Sequence, residues 1–317
     1  MRKVTRFLIP CSCLVSLFLT MSQGVCRADD EPAPPLVGFG PTMFGDFVIK
    51  TPDGIVPGRG AYKISENESP QPQDRVFVNY NHFNHGKGLF SGKPLNTTRE
   101  TIGLEKTLLK DASVGLRLPF VQRNHLYYNQ DAPDSDSSDS SVDDLSLILK
   151  YAPLYNRTTG SALSFGLTVT APTGERARAL FETERGRLHP WLMQPYIGYL
   201  WNRGALFVQG FDSIMVPTDT RDVTVVFNDV GAGLWLARSE HRRFITAVIP
   251  TLEIHVNTPV NHRSESDLPR YRDSVDLTAG VHVEFNRHGL FGVAVVRPLN
   301  SPRTFEFEVI ASFNYRF

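Results

Sequence analysis

The chain has 317 residues with 33 basic and 33 acidic side chains, so it has no net charge at neutral pH and no global basic field to attract nucleic acid. Its three cysteines (Cys11, Cys13, Cys26) all lie near the start. Beyond them disulfides and cysteine metal sites are excluded, and a large sheet or core has to hold the fold.

Residues 1–28 read as an export signal. Arg2, Lys3 and Arg6 precede an apolar run from Phe7 to Met21, and Ala28 supplies the small residue at the expected cleavage point. Pro10 interrupts the run, which is too short to span a membrane comfortably as a helix. With the signal's four basic residues removed, 29 basic side chains stand against 33 acidic ones. No later stretch reaches the roughly 18 uninterrupted apolar residues of a transmembrane helix. A membrane-embedded form must therefore be a closed barrel, the other structure that satisfies every backbone N–H and C=O away from water.

Residues 29–74 are rich in Pro and Gly, with Phe39, Met43, Phe44 and Phe47 scattered among turn formers. This irregular N-terminal segment is expected either to hang in the periplasm or to tuck into a barrel mouth. From Arg75 to Phe317 period-two alternation takes over, the mark of half-buried strands. About twelve such segments can be placed, at 75–83, 98–108, 113–123, 143–152, 162–171, 190–201, 204–215, 223–237, 242–256, 273–285, 289–297 and 304–317. The last is the clearest. Phe305, Phe307, Val309, Ala311, Phe313, Tyr315 and Phe317 alternate with Thr304, Glu306, Glu308, Ile310, Ser312, Asn314 and Arg316. Successive side chains point to opposite sides of a strand, so one face is apolar and the other largely polar.

The connections sort by parity. Those at 84–97, 124–142, 172–189, 216–222, 257–272 and 298–303 are mostly long, whereas those at 109–112, 153–161, 202–203, 238–241 and 286–288 are mostly short. Outer-membrane barrels have long extracellular loops and short periplasmic turns. The expected fold is thus all-β, a transmembrane antiparallel up-and-down β-barrel in the bacterial outer membrane, with its apolar face toward lipid. Three arguments turn that face outward. Twelve strands enclose more space than side chains can fill. Most strands are long enough to cross an apolar band of about 25 Å when tilted. Finally, Phe120, Tyr151, Trp191, Tyr199, Trp201, Phe244, Phe285, Tyr315 and Phe317 gather near strand ends, where interfacial girdles sit. The terminal Phe317, preceded by apolar residues at every second position, is similar to the signal through which the barrel assembly machinery recognises its clients.

Asp144–Tyr151, then Leu163–Ala171 followed by Pro172-Thr173-Gly174-Glu175, then Gln194–Tyr199, resemble the meta-pathway phenol-degradation family. The resemblance covers about residues 143–317. It implies an outer-membrane barrel associated with uptake of aromatic compounds, and it carries no catalytic residues over.

An outward apolar face assigns Glu105, Arg117, Lys150, Gln194, Tyr196, Glu253, His255, Asp276, His282, Glu284, Glu306, Glu308 and Arg316 to the lumen. Both charge signs occur, as suits a hydrated channel. They read either as a solvated wall of ion pairs or as Arg117 and Lys150 setting a transverse field against acidic residues. The aspartates 131, 134, 136, 139, 143 and 144 lack the glycine and terminal glutamate of an EF-hand loop, and read as a flexible acidic extracellular loop. His82 and His85 are three apart and so face opposite ways along a strand; no His-Glu-x-x-His or Gly-x-Ser-x-Gly run exists. Ser274 and His282 lie on the polar face, not the lipid face used by barrel lipases. No metal, cofactor or enzymatic activity is expected. The expected partners are outer-membrane lipid, the assembly machinery at Phe317 and a small-molecule solute. The functional expectation is a channel or uptake pore for small, hydrophobic or aromatic solutes, against a structural or adhesion barrel or a barrel hydrolase.

Overall fold

The computed structural model describes residues 40–46, 63–87, 94–124, 138–174, 190–238, 244–264, 272–301, 303 and 305–317. The expected export signal and Asp131, Asp134 and Asp136 lie outside the described residues. The strands are β1 (Arg75–Lys87), β2 (Pro94–Leu109), β3 (Ala112–Asn124), β4 (Ser138–Val142), β5 (Ser146–Tyr155), β6 (Ala162–Thr170), β7 (Leu192–Arg203), β8 (Leu206–Pro217), β9 (Val225–Leu234), β10 (Ala237–Arg238), β11 (Ile245–Pro259), β12 (Ser274–Phe285), β13 (Gly289–Pro298) and β14 (Phe307–Arg316).

Strands adjacent around the ring pair antiparallel, and β14 returns to β1 with Arg75 opposite Arg316 and Asn84 opposite Phe307. The fourteen strands make twelve staves. β4 and β5 follow one another along β3, and β9 and β10 follow one another along β11. The ring is closed by the β1–β14 and β9–β11 pairings. Both ends of the barrel sequence lie on the side of the tight turns at 110–111, 204–205 and 286–288.

The orientation of the alternation is unambiguous. Along β14, Phe307, Val309, Ala311, Phe313 and Tyr315 are exposed or half-buried, while Glu308, Ile310, Ser312 and Asn314 are buried. β13 presents Phe291, Val293 and Val295 outward and buries Gly292, Ala294 and Val296. Three arginines (Arg75, Arg99, Arg117) rank among the largest fully buried side chains, whereas Leu149, Phe165, Ile197, Leu252 and Val295 are exposed. A water-soluble fold would reverse this arrangement; a lipid solvent requires it. Tyr151, Trp201, Phe244, Tyr315 and Phe317 form the exposed aromatic girdle at the tight-turn end, where Phe244 packs edge-on to Phe285 with ring centres 5.3 Å apart.

Three expectations change. β14 begins at Phe307, so Glu306 precedes the ladder and is exposed, not in the lumen. Its neighbour Phe305, expected on the lipid face, instead turns inward and meets Phe83 at 5.6 Å. Strand alternation has no hold over residues that are not yet in the ladder. The acidic loop is also shorter than expected: Ser138–Val142 forms β4 on β3, and Asp144 accepts the Gly174 N–H.

Candidate functional site

The lumen holds part of the chain's own N-terminal segment. Residues 40–46 and 63–73 are almost wholly buried, and the Met43 N–H donates to the Glu68 carbonyl at 2.8 Å, tying the two pieces together. Residue 73 then leads directly into β1. Burying so many polar side chains requires a partner for each charge, and the wall supplies those partners in two groups.

The first group is basic. Arg75 on β1, Arg117 on β3 and Lys150 on β5 converge on Glu68 of the insert, each 2.7 Å away. The wall's own acid, Glu105 on β2, bonds Arg75 at 2.9 Å and Lys150 at 2.8 Å. Beside them Arg99 on β2 pairs with Glu66. Burial pushes the Glu68 carboxyl up, but the charges of Arg75, Lys150 and Arg117 outweigh it and hold the group well below the usual carboxylate range.

The second group is acidic and sits across the barrel. Glu253 on β11 accepts the Phe44 and Gly45 N–H groups at 2.9 and 3.0 Å, one on each carboxylate oxygen. Asp229 on β9 and Asp46 of the insert flank Lys63 Nζ at 2.5 Å each, and Asn257 Oδ1 accepts from the same ammonium at 2.8 Å. His255 Nδ1 lies 2.9 Å from Asp229 Oδ1. Burial raises the Asp46 carboxyl, but Lys63 and His255 outweigh it and bring it to about 2. For Lys63, burial lowers the ammonium, and Asp229 and Asp46 more than reverse that. Asp46, Asp229 and His255 place ligand-type atoms within 4.8 Å of one another. The Lys63 ammonium lies between the two carboxylates, so this is an ion-paired tie and not the geometry of a metal centre.

Apolar contacts complete the docking. Phe44 stacks on His282 at 4.0 Å with the rings 9° from parallel. It occupies a notch made by two glycines: a Cβ on Gly280 would come within 2.4 Å of its ring, and one on Gly292 within 2.7 Å. Met43 and Ile64 pack with Ile148, Tyr196 and Phe211. Strands β7 to β9 depart from the expected polar lining, for Leu192, Leu200, Phe207, Phe211, Met215, Val225 and Phe227 are all buried on their inner face.

Of the lumen candidates, Glu105, Arg117, Lys150, Gln194, Tyr196, Glu253, His255, Asp276, His282, Glu284 and Glu308 point inward and are buried, and Arg316 sits half-buried at the tight-turn rim, paired with Glu284. The structure joins Glu105, Arg117 and Lys150 in one cluster, and Glu253 and His255 in the other. Glu308 accepts from Asn81, and Gln194 donates to Ser213. Arg75, Arg99 and Asp229 were missed, although period two running back from Glu105 through Thr101 reaches Arg99. Lys63, Glu66 and Glu68 gave no periodic signal, because the insert is neither helix nor strand.

Compared with known protein families and with curated proteins, the chain has no match in sequence. Among solved structures the fold is similar to an outer membrane channel from Pseudomonas putida F1, at 15% identity and a TM-score of 0.56, over 77% of this chain and 96% of that one. It is also similar to the β domain of the Bordetella autotransporter BrkA, at 13% identity and a TM-score of 0.50, over 78% and 100% of the respective chains. Ring closure, an outward apolar surface and a buried charged interior define a bacterial outer-membrane β-barrel. At these identities the likeness is one of fold.

Proposed function

We propose that this protein is an outer-membrane channel for small solutes, held closed by residues 40–46 and 63–73. One observation carries the reading: what fills the lumen is a segment that continues into the wall at the rim before β1 and is docked largely through ion pairs and hydrogen bonds. A barrel that needed only filling would be better served by apolar packing, since buried ion pairs contribute little net stability over hydrophobic replacements. Withdrawing the insert would leave a lumen with charged walls that water and solutes can enter.

The apolar inner face of β7 to β9 supports a solute with an apolar or aromatic part, consistent with the resemblance to the meta-pathway phenol-degradation family. Catalysis forms no part of this reading: Ser274 bonds Asn257 and His282 stacks on Phe44. Phe317, whose N–H donates to the Asp74 carbonyl at 3.1 Å, is taken as the handle for the assembly machinery. Single-channel recording in planar bilayers tests the channel reading, comparing the wild type with the Lys63→Ala, Glu68→Ala double variant. The expected result is a mostly closed wild type and a variant with long open dwell times. Absence of conductance in both overturns the channel reading and favours a structural or adhesion barrel acting through its long loops.

A further inference from the structure

Glu68 belongs to the insert, yet the three cations that hold its carboxylate come from the wall, and the insert itself adds the Ser69 N–H to Oε1 at 3.1 Å. Its Oε1 accepts from Arg75 Nη2 and Lys150 Nζ, and its Oε2 from Arg117 Nη2, all at 2.7 Å. The three cations come from three strands, and every one of the four side chains is at most 3% exposed. Glu105 is the acid that the wall itself places among them. Three cations against one carboxylate leave a positive surplus, which Glu68 meets. The Phe77 ring lies under the site, 4.7 Å from the Arg75 guanidinium and 6.0 Å from that of Arg117, and Tyr196, Ile148 and Phe211 form an apolar cluster inside the same lumen. Guanidinium groups present fixed, planar donor arrays that match a carboxylate better than they match a spherical anion.

We propose that Arg75, Arg117 and Lys150 form a binding site for the carboxylate of a small anionic solute, and that Glu68 is the chain's own stand-in for that carboxylate while the lumen is closed. Once the insert leaves, the three cations keep their positive surplus in a hydrated lumen, and a solute carboxylate enters where Glu68 was. The identity of the cargo rests on the channel reading above; the existence of the carboxylate site does not.

The test separates the two. Glu68→Ala deletes a CH₂–COO⁻ group, which is acetate in size and charge. Thermal unfolding of the purified full-length variant is followed in sodium acetate and in sodium chloride of equal ionic strength. Acetate is expected to raise Tm saturably by a few degrees, as a ligand bound only to the folded state does. Chloride is not expected to do so, and adding Arg117→Met is expected to remove the effect. Equal shifts with acetate and chloride, or rescue that survives Arg117→Met, overturn the site. A second variant, Glu68→Gln, keeps the side-chain shape and is recorded in bilayers across a salt gradient. A reversal potential of anion-selective sign supports an anionic cargo, and one of cation-selective sign overturns it. Acetate rescue without conductance in any variant sustains the site and removes the channel reading alone.

Discussion

The lumen is lined by two unlike walls. On β1 to β5 the inner face carries Arg75, Asn79, Asn81, Arg99, Glu105, Arg117 and Lys150, and the insert meets it with carboxylates. On β7 to β9 the inner face carries Leu192, Tyr196, Leu200, Phe207, Phe211 and Phe227, and the insert packs Met43 and Ile64 against part of it. The contrast separates fit from release. Apolar packing is non-directional and insensitive to pH and solutes, so it can seat the segment but offers no specific means of letting go. Buried ion pairs add little net stability when complete, yet breaking one partner costs about 3–5 kcal/mol. The charged wall is therefore where a modest chemical change has leverage over the closed state.

The strongest way to break the comparison is Glu68→Ala, which removes the carboxylate on which Arg75, Arg117 and Lys150 converge. Its expected cost to the docked state is about 3–5 kcal/mol, readable as a large rise in open probability. Met43→Ala removes packing from the apolar wall without disturbing a charge. About 2–3 kcal/mol is expected, at the low end for buried Met→Ala because the neighbouring side chains can close in, and channel opening should rise less than for Glu68→Ala. An equal or larger effect would reverse the assignment of leverage. Gly292→Ala tests the notch on the far wall: its Cβ would crowd the Phe44 ring and His282, at a cost of about 1–3 kcal/mol, and protease cleavage within the insert should become faster.

Acidification sharpens the same point with a defined sign. Asp46 and Glu68 have carboxyls held below their ordinary values, so their contribution to docking is present in full above those ordinary values and is lost as pH falls through the depressed ones. For Asp46 the window runs from 3.8 down to about 2. Bilayer recordings are expected to show no opening from pH 7 to about 5 and progressive opening below pH 4. Lys63, whose ammonium is raised above its ordinary 10.5, keeps its tie through mildly alkaline pH. Opening at pH 9 would count against that tie.

Much of the barrel was legible in the sequence because strand alternation is a local property. β12 was expected at 273–285 and runs Ser274–Phe285; β13 was expected at 289–297 and runs Gly289–Pro298. Outward Val283 and inward Glu284 follow from parity alone. The reading failed where locality fails. Phe305 stands two residues before its ladder and faces inward. β8 mixes apolar and polar side chains on both faces, so period two could not announce that Phe207 and Phe211 line the interior.

By itself, then, the order of residues determined that the chain forms a closed membrane barrel, which side chains face lipid where polar and apolar residues alternate, and that charges of both signs line the inside. Each of these follows from a repeat of two residues and the demand that backbone groups be satisfied in lipid. Only the tertiary structure decided what fills the interior. Glu68 and Lys150 are 82 residues apart, and Phe44 and Glu253 are 209 apart; contacts at that separation leave no periodic trace, because they are chosen by shape and charge once the ring has closed.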